Sequence, residues 1–381
     1  MEPKVIINYQ SNNLRYTLQE LTNYKLCTWQ ANTSSQFPLL DKMIPSVPDG
    51  IEHYAITAKD RLDLANQLRK IINENNIDYI FPLYNDMLLP YIHDLVGITK
   101  EQCDILSNKE NYTAHAYNIG IPVPMTHASL RKTFPVVAKP ANGTGGIGIK
   151  VLENWSQYRY FLDDIHYNDL DAGYIFQEYI EGPTVSVSGR IVNEKFILDC
   201  IYDIEISDLP YRAETGFTWP SKSSIPVQSD IKEYCRIMCE SIGYDNGPFM
   251  ADFVVKDEVP YLVDFSPRLS TSGQTIIKYS AGCDYNRIVM DSITCKSDLR
   301  VQLDKAVVFR HFNLEKGKYD ISMNEGAEYE ELQLPKSQQF LRRMDLLVGL
   351  NGYAITTGKR LLDAELKYKN VLAHINIVKQ A

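Results

Sequence analysis

Apolar positions in the first hundred residues follow two rhythms. Val5-Ile6-Ile7 and the stretch from Tyr24 to Trp29 are short runs, as expected of strands covered on both faces. From Asp60 to Asn75, Leu62, Ala65, Leu68, Ile71 and Ile72 recur at helical spacing, with Asp60 placed to cap the helix start. Ile77–Phe81 then gives another short apolar run. Strand, helix and strand in this order predict a small parallel α/β unit. The turn after the first strand reads Asn8-Tyr9-Gln10-Ser11, without the glycines of a dinucleotide-binding turn.

The pattern shifts near Leu106. Ser107 is placed to cap a helix running to about Ile119, which Gly120, Pro122 and Pro124 end. Beyond Phe134, strands are predicted at 134–140 and 147–152, a helix at about Trp155–Asp164, and strands at 174–180, 184–192, 195–204, 249–255 and 261–266. A helix interrupts them at 230–242. Strands at 306–312 and 353–358 and a helix from Leu361 close the chain. This part predicts a mostly antiparallel α+β region, with no internal repeat.

The chain has 381 residues, enough for two to three domains at about 150 residues each. It is 44% hydrophobic and 23% charged, which suits a soluble globular protein and excludes a disordered chain. A net charge of −9 argues against a general binder of nucleic acid or of anionic membranes, because phosphate attraction needs excess Lys and Arg. Cys235 and Cys239 lie four apart, on one helix face, without a second pair at metal-ligand spacing. Helix packing is the expectation there, and reduced thiols point to the cytoplasm. No apolar run approaches the roughly 18 residues of a membrane span.

Candidate chemistry sits in two places. In Lys139-Pro140-Ala141-Asn142-Gly143-Thr144-Gly145-Gly146-Ile147-Gly148, glycines free the backbone N–H groups to cradle a phosphate. The loop leads into a strand instead of a helix, so it fits neither dinucleotide nor Walker patterns. By itself the preceding Lys139 reads either as a strand-end lysine reaching solvent or as a phosphate ligand. The second place is the hairpin carrying Asp252 and Asp264, each flanked by apolar residues. Buried unpaired carboxylates are costly, so the two either share a hard cation or pair with bases such as Arg268 or Arg287.

In order, these features resemble the ATP-grasp superfamily: Lys109 before Gly-Ile-Pro-Val-Pro, Lys139 before the glycine loop, Gln177-Glu178-Tyr179-Ile180 some forty residues on, then Asp252, Asp264 and Pro267-Arg268. The nearer likeness is to carboxylate–amine, amino-acid-joining ligases. The resemblance implies a three-part architecture: an N-terminal α/β domain (1–107), a two-subdomain ATP-grasp core (108–300, glycine-loop subdomain about 120–176) and C-terminal strands and helix completing the core (301–381). It implies that Lys109 and Lys139 contact ATP phosphates and that Gly143, Thr144, Gly145 and Gly146 close over them. Gln177, Glu178, Tyr179 and Ile180 would read adenine. Asp252 and Asp264 would hold Mg²⁺, which Mn²⁺ can replace, with Ser266 as a weaker ligand, and Arg268 would stabilise the transferred phosphoryl group. Three positions depart from the family: Asp264 stands where Glu is usual, Ser266 where Asn is usual, and Thr184 where a Glu often grips the ribose.

The implied reaction is ADP-forming amide synthesis through an acyl phosphate, on small carboxylate and amine substrates such as amino acids. A bicarbonate-using or phosphoryl-transfer relative, or a nucleotide-binding module with reduced catalysis, are the alternatives. For the acceptor, Arg212 could take a carboxylate and Glu214 an amine, with Ser270 and Ser272 lining the same cavity; a solvated Arg–Glu pair is the alternative. Arg310 and His311 alternate across a strand, so at most one is expected to face inward. Family members are often homodimers.

Overall fold

The short apolar runs at the start of the chain pair with one another, and the alternating ones pair further on. This computed structural model describes residues 2–8, 23–32, 47, 49–81, 88–126, 134–142, 148–167, 173–209, 212–312, 314, 318–335 and 352–379. Strands β1 (Lys4–Asn8), β2 (Lys25–Asn32), β3 (Glu52–Thr57) and β4 (Tyr79–Ile80) form a parallel sheet in the order β3-β2-β1-β4. Helix α1 (Arg61–Glu74) begins at Asp60, whose side chain accepts from the Asp63 amide, as expected. Its buried stripe is Leu64, Ala65 and Leu68, whereas Leu62 is exposed. The expected face was rotated by part of a turn, because Leu62 and Leu64 both fit a helical spacing with Ala65 and Leu68.

Helices α2 (Leu89–Ile92), α3 (Lys100–Leu106) and α4 (Lys109–Asn118) follow. Asn108, not Ser107, caps α4: its side chain accepts from the amides of Glu110 and Asn111, while Ser107 closes α3. Gly120 adopts the left-handed conformation (φ +83) just past the helix end, the role expected of it.

A three-stranded antiparallel sheet, β6-β5-β7, is built from β5 (Val136–Pro140), β6 (Lys150–Leu152) and β7 (Tyr174–Glu178). Helix α5 (Trp155–Tyr167) runs three residues longer than expected. Phe161 packs onto this sheet with Val136, Ala138 and Leu152.

The main sheet has eight antiparallel strands in the order β12-β11-β8-β9-β10-β13-β16-β15. They are β8 (Thr184–Val192), β9 (Lys195–Ile206), β10 (Glu214–Trp219), β11 (Gly247–Lys256), β12 (Val259–Ser266), β13 (Ala306–His311), β15 (Glu331–Gln333) and β16 (Tyr353–Gly358). A separate pair joins β14 (Tyr319–Met323) to β17 (Ile375–Lys379). Helices α6 (Ile225–Ile242), α7 (Thr271–Ala281), α8 (Tyr285–Cys295) and α9 (Leu361–His374) complete the described elements. Helix α6 starts five residues before the expected 230, because Ser224 caps it and Pro226 is tolerated in its first turn. Cys235 and Cys239 are both buried on that helix, as packing predicts.

Residue alternation sorts the sheet. Val185 and Val187 of β8 and Ala251, Phe253 and Val255 of β11 join Val227, Ile231 and Met238 of α6 in one apolar cluster. That cluster continues to Ile6, Trp29 and Leu68 of the N-terminal unit. The other face of these strands is therefore left for a site.

Candidate active site

On that second face, Thr184 and Ser186 of β8, Tyr202, Ile204 and Ile206 of β9, Glu214 of β10, and Met250, Asp252 and Val254 of β11 line one cavity. The opposite wall is the three-stranded sheet, with Val137 and Lys139 of β5 and Gln177 and Glu178 of β7. Tyr179 and Ile180 bridge the two walls, and Lys109 enters from α4. The volume is about 370 Å³, within the size range of small-molecule sites.

Asp252 and Asp264 stand directly opposite in the β11–β12 ladder. The register then shifts, so that Phe253 faces Leu262 and Val263 is a bulged extra residue. The Val263 carbonyl accepts hydrogen bonds from Lys139 Nζ at 2.8 Å and from Tyr112 Oη at 2.9 Å. Tyr112 also donates to Asp264 Oδ1 at 2.9 Å, and Lys109 Nζ donates to the same oxygen at 2.6 Å. Ser186 donates to Asp252. Lys109 is the first residue of α4, and its backbone amide is tied to the Ala141 carbonyl at 2.8 Å, just past β5. A helix start, a bulge and a strand end thereby place two ammonium groups against two carboxylates.

The electrostatics follow from crowding. Burial, together with the neighbouring Asp264, raises the Asp252 carboxyl to about 6. Burial pushes Asp264 the same way, but Lys109, Lys139 and the Tyr112 hydrogen bond outweigh it and hold that carboxyl below its ordinary range. Lys139 is lowered to about 7, first by burial and then by repulsion from Lys109. A polyanion entering the cavity would favour the charged form of Lys139.

In the same lining, Ser272 Oγ donates to Glu214 Oε1 at 2.7 Å, and Tyr202 Oη and Ser270 Oγ share a hydrogen bond of 2.6 Å. Glu214 borders the cavity, and desolvation of its carboxyl there outweighs the Ser272 hydrogen bond and lifts it to about 7. Ser270 is the N-cap of α7. Arg268 also lines the cavity, its Nη1 donating to the Leu269 carbonyl at 3.1 Å.

Most of the residues singled out in the sequence meet here: Lys109, Lys139, Gln177, Glu178, Tyr179, Ile180, Thr184, Arg212, Glu214, Asp252, Asp264, Arg268, Ser270 and Ser272. Ser266 pairs with Met250 in the ladder and is buried, outside the lining. Gly143, Thr144, Gly145 and Gly146 lie outside the described residues. Arg287 pairs with Asp291 and not with either site carboxylate. Arg310 pairs with Glu205, and His311 lies 3.3 Å from the Gly352 carbonyl; neither lines the cavity.

The family model that matches residues 106–272 describes an ATP-grasp domain. The match to an ATP-grasp domain covers 167 of the 381 residues. The chain is 21% identical over 196 residues to a carbamoyl phosphate synthase large chain of Clostridium beijerinckii, covering 49% of this chain and 18% of the relative. It is 23% identical over 172 residues to a D-alanine–D-alanine ligase of Coprothermobacter proteolyticus, covering 42% and 55%. The chain thus spans less than two thirds of these relatives' lengths. The crystal structure of an L-amino acid ligase from Bacillus licheniformis superposes with a TM-score of 0.80 over 100% of this chain and 99% of that one, at 15% identity. At that identity the likeness is one of fold.

ATP-grasp enzymes use ATP with Mg²⁺, and the donors suit that ion. Two carboxylates face each other at close range, and their mutual repulsion is what a hard divalent cation relieves. Among the described residues no cluster of three or more His, Cys, Asp or Glu side chains could hold a metal, so phosphate and water would complete the shell, as Mg²⁺ prefers. The sequence did not single out Ser186 and Tyr202, which line the cavity, or Tyr112, which bonds Val263 and Asp264 beside it. Ser186 follows Thr184 at a spacing of two, so strand alternation could have found it. Tyr112 lies on α4 one turn after Lys109, and only the long-range bulge at Val263 gives it a role. No helix among the described residues is long and apolar enough to cross a membrane.

Proposed function

We propose that the protein is an ATP-dependent, ADP-forming ligase that activates a small carboxylate as an acyl phosphate and couples it to an amine, with amino acids or similar metabolites as substrates. The observation that carries this reading is the convergence of Lys109, Lys139, Asp252 and Asp264 in one cavity that Glu214, Ser270 and Ser272 also line.

Lys109 and Lys139 bind and orient the phosphates as the anion displaces their present partners. Backbone groups at Glu178–Ile180 border the base, and Gly143–Gly146 close over the phosphates and exclude water, which would hydrolyse an acyl phosphate. Mg²⁺, held by Asp252 and Asp264, would neutralise charge on the phosphoryl oxygens. Arg268, which lines the same cavity, would stabilise the transferring group. Glu214, with a carboxyl near neutrality, is suited to accept a proton from an attacking amine. A cytoplasmic setting, where thiols stay reduced, goes with this reading, and its partners are small molecules.

The test is ADP release with Mg·ATP against pools of amino acids and small carboxylates, with Asp252→Asn as blank. Pool-dependent ADP supports the ligase, and splitting the pools names acid and amine. Nucleotide binding without turnover in any pool would leave a binding module in its place.

A further inference from the structure

The two polar residues expected to clamp one acceptor substrate are turned to different neighbours. Glu214 bonds Ser272 at the N-terminus of α7. Arg212, two residues earlier, reaches back to the hinge: its Nη2 donates to Thr184 Oγ1 at 3.1 Å, and its guanidinium carbon lies 5.7 Å from the centre of the Tyr179 ring. The base of its loop is closed by the Ser207 amide on the Ala213 carbonyl at 2.8 Å and by the Ala213 amide on Ser207 Oγ at 3.1 Å. A hydrogen bond, an aromatic face and a closed loop base therefore fix the guanidinium beside the start of β8. Thr184 is also the position where the superfamily often carries a ribose-gripping glutamate.

We propose that Arg212, braced by Thr184 and Tyr179, reads the ribose edge of the bound nucleotide as a hydrogen-bond donor in place of a carboxylate acceptor. This rests on the cavity being a nucleotide site. The chemistry differs in kind. A carboxylate only accepts, so it takes the protons of the ribose hydroxyls and repels any anionic group attached there. A guanidinium only donates, through five N–H groups, of which Thr184 takes one. It addresses the lone pairs of the ribose oxygens and attracts an anion at the 2′ or 3′ position. The ligand class is thus an adenine nucleotide with intact ribose oxygens, and a phosphate on the ribose is welcomed.

Calorimetric titration of the full chain with Mg²⁺ and ADP, 2′,3′-dideoxy-ADP, AMP and adenosine 3′,5′-bisphosphate tests this. Wild type should bind ADP about tenfold tighter than dideoxy-ADP, the scale of one charge-assisted hydrogen bond, and should prefer the bisphosphate to AMP. Arg212→Ala should bring the first ratio close to one while sparing dideoxy-ADP affinity. Arg212→Glu should reverse the preference for the bisphosphate. Thr184→Val, which removes the brace and keeps the cation, should lower the first ratio part-way. An unchanged ADP to dideoxy-ADP ratio in Arg212→Ala overturns the assignment, as does an effect confined to the acceptor KM. If wild type binds none of the four nucleotides, the nucleotide site itself is wrong, an outcome separable from either result.

Discussion

Lys109 and Asp264 show how single side chains set the electrostatics of the site. The ammonium sits 2.6 Å from Asp264 Oδ1, on the carboxylate proposed to hold the cation. A metal arriving without nucleotide must displace that lysine, whereas nucleotide offers it phosphate oxygens instead. Lys109→Met should therefore bind Mn²⁺ without nucleotide about tenfold more tightly than wild type, the equivalent of roughly 1.4 kcal/mol, and bind ADP more weakly. Titration of free Mn²⁺ by its paramagnetic resonance signal measures the first effect. Equal Mn²⁺ affinity in the two proteins would refute it. Glu214 gives a pH dependence. Its carboxyl is raised to about 7, chiefly by burial, against an unfolded value near 4.3. The stability tied to its protonated form is complete below the unfolded value and is lost as pH rises through the folded one. Glu214→Gln, which keeps an acceptor for Ser272 but never ionises, should match wild type near pH 4 and melt higher than wild type at pH 8. A melting difference that stays flat between those pH values would count against the buried charge.

At the scale of elements, the site depends on α7 lying hard against β8. Gly273 permits this: a Cβ there would run into the Ser188 hydroxyl and lie 2.8 Å from Ser188 Cβ. Gly273→Val should lift the start of α7, cost about 1–3 kcal/mol of stability through overpacking, and separate Ser272 from Glu214. Chemical denaturation gives the first, and an upward move in the pH at which the Glu214 effect sets in gives the second, because the Ser272 hydrogen bond lowers that carboxyl's pKa. How far such elements were legible varied with their origin. The strands of the main sheet were readable because β8 and β11 alternate over a buried pattern, and Asp252 and Asp264 stood out as charges inside apolar strands. The bulge at Val263 was not readable, since register is settled by pairing partners and not by the strand's own sequence. Cap identity at α4 slipped by one residue because Ser107 and Asn108 are both good caps, and only the path of the chain out of α3 decides between them. The glycine loop was conspicuous in the sequence, while Tyr112, a buried aromatic on a helix, looked like core.

Across the whole molecule, the parts are tied together behind the site by a buried ion pair that sequence reading passed over. Arg190 of β8 and Asp199 of β9 are both fully buried, with Arg190 Nε 3.1 Å from Asp199 Oδ2. Tyr285 of α8 donates to Asp199 at 2.7 Å, and Arg190 reaches Ser292 at 2.9 Å as well as the Leu299 carbonyl. The pair thus joins the centre of the eight-stranded sheet to α8 and to the connection that leads back into β13. Taken singly, Arg190 and Asp199 look like ordinary charges on a hairpin. Their partners lie about a hundred residues away, so no local pattern announces them. Replacing a buried pair by apolar groups can be nearly neutral, but removing one member strands the other, at about 3–5 kcal/mol. Asp199→Asn should therefore destabilise the protein by about that amount in chemical denaturation, because Arg190 keeps its charge and loses its counter-ion. Arg190→Met combined with Asp199→Leu should recover part of the loss. Such recovery in the double variant would mark the pair as a means of registering sheet against helix. A double variant no more stable than Asp199→Asn alone would instead give the ion pair a net stabilising role of its own. Neither residue touches the cavity, so nucleotide affinity in the folded Asp199→Asn protein should stay near wild type, which separates this scaffold from the chemistry it supports.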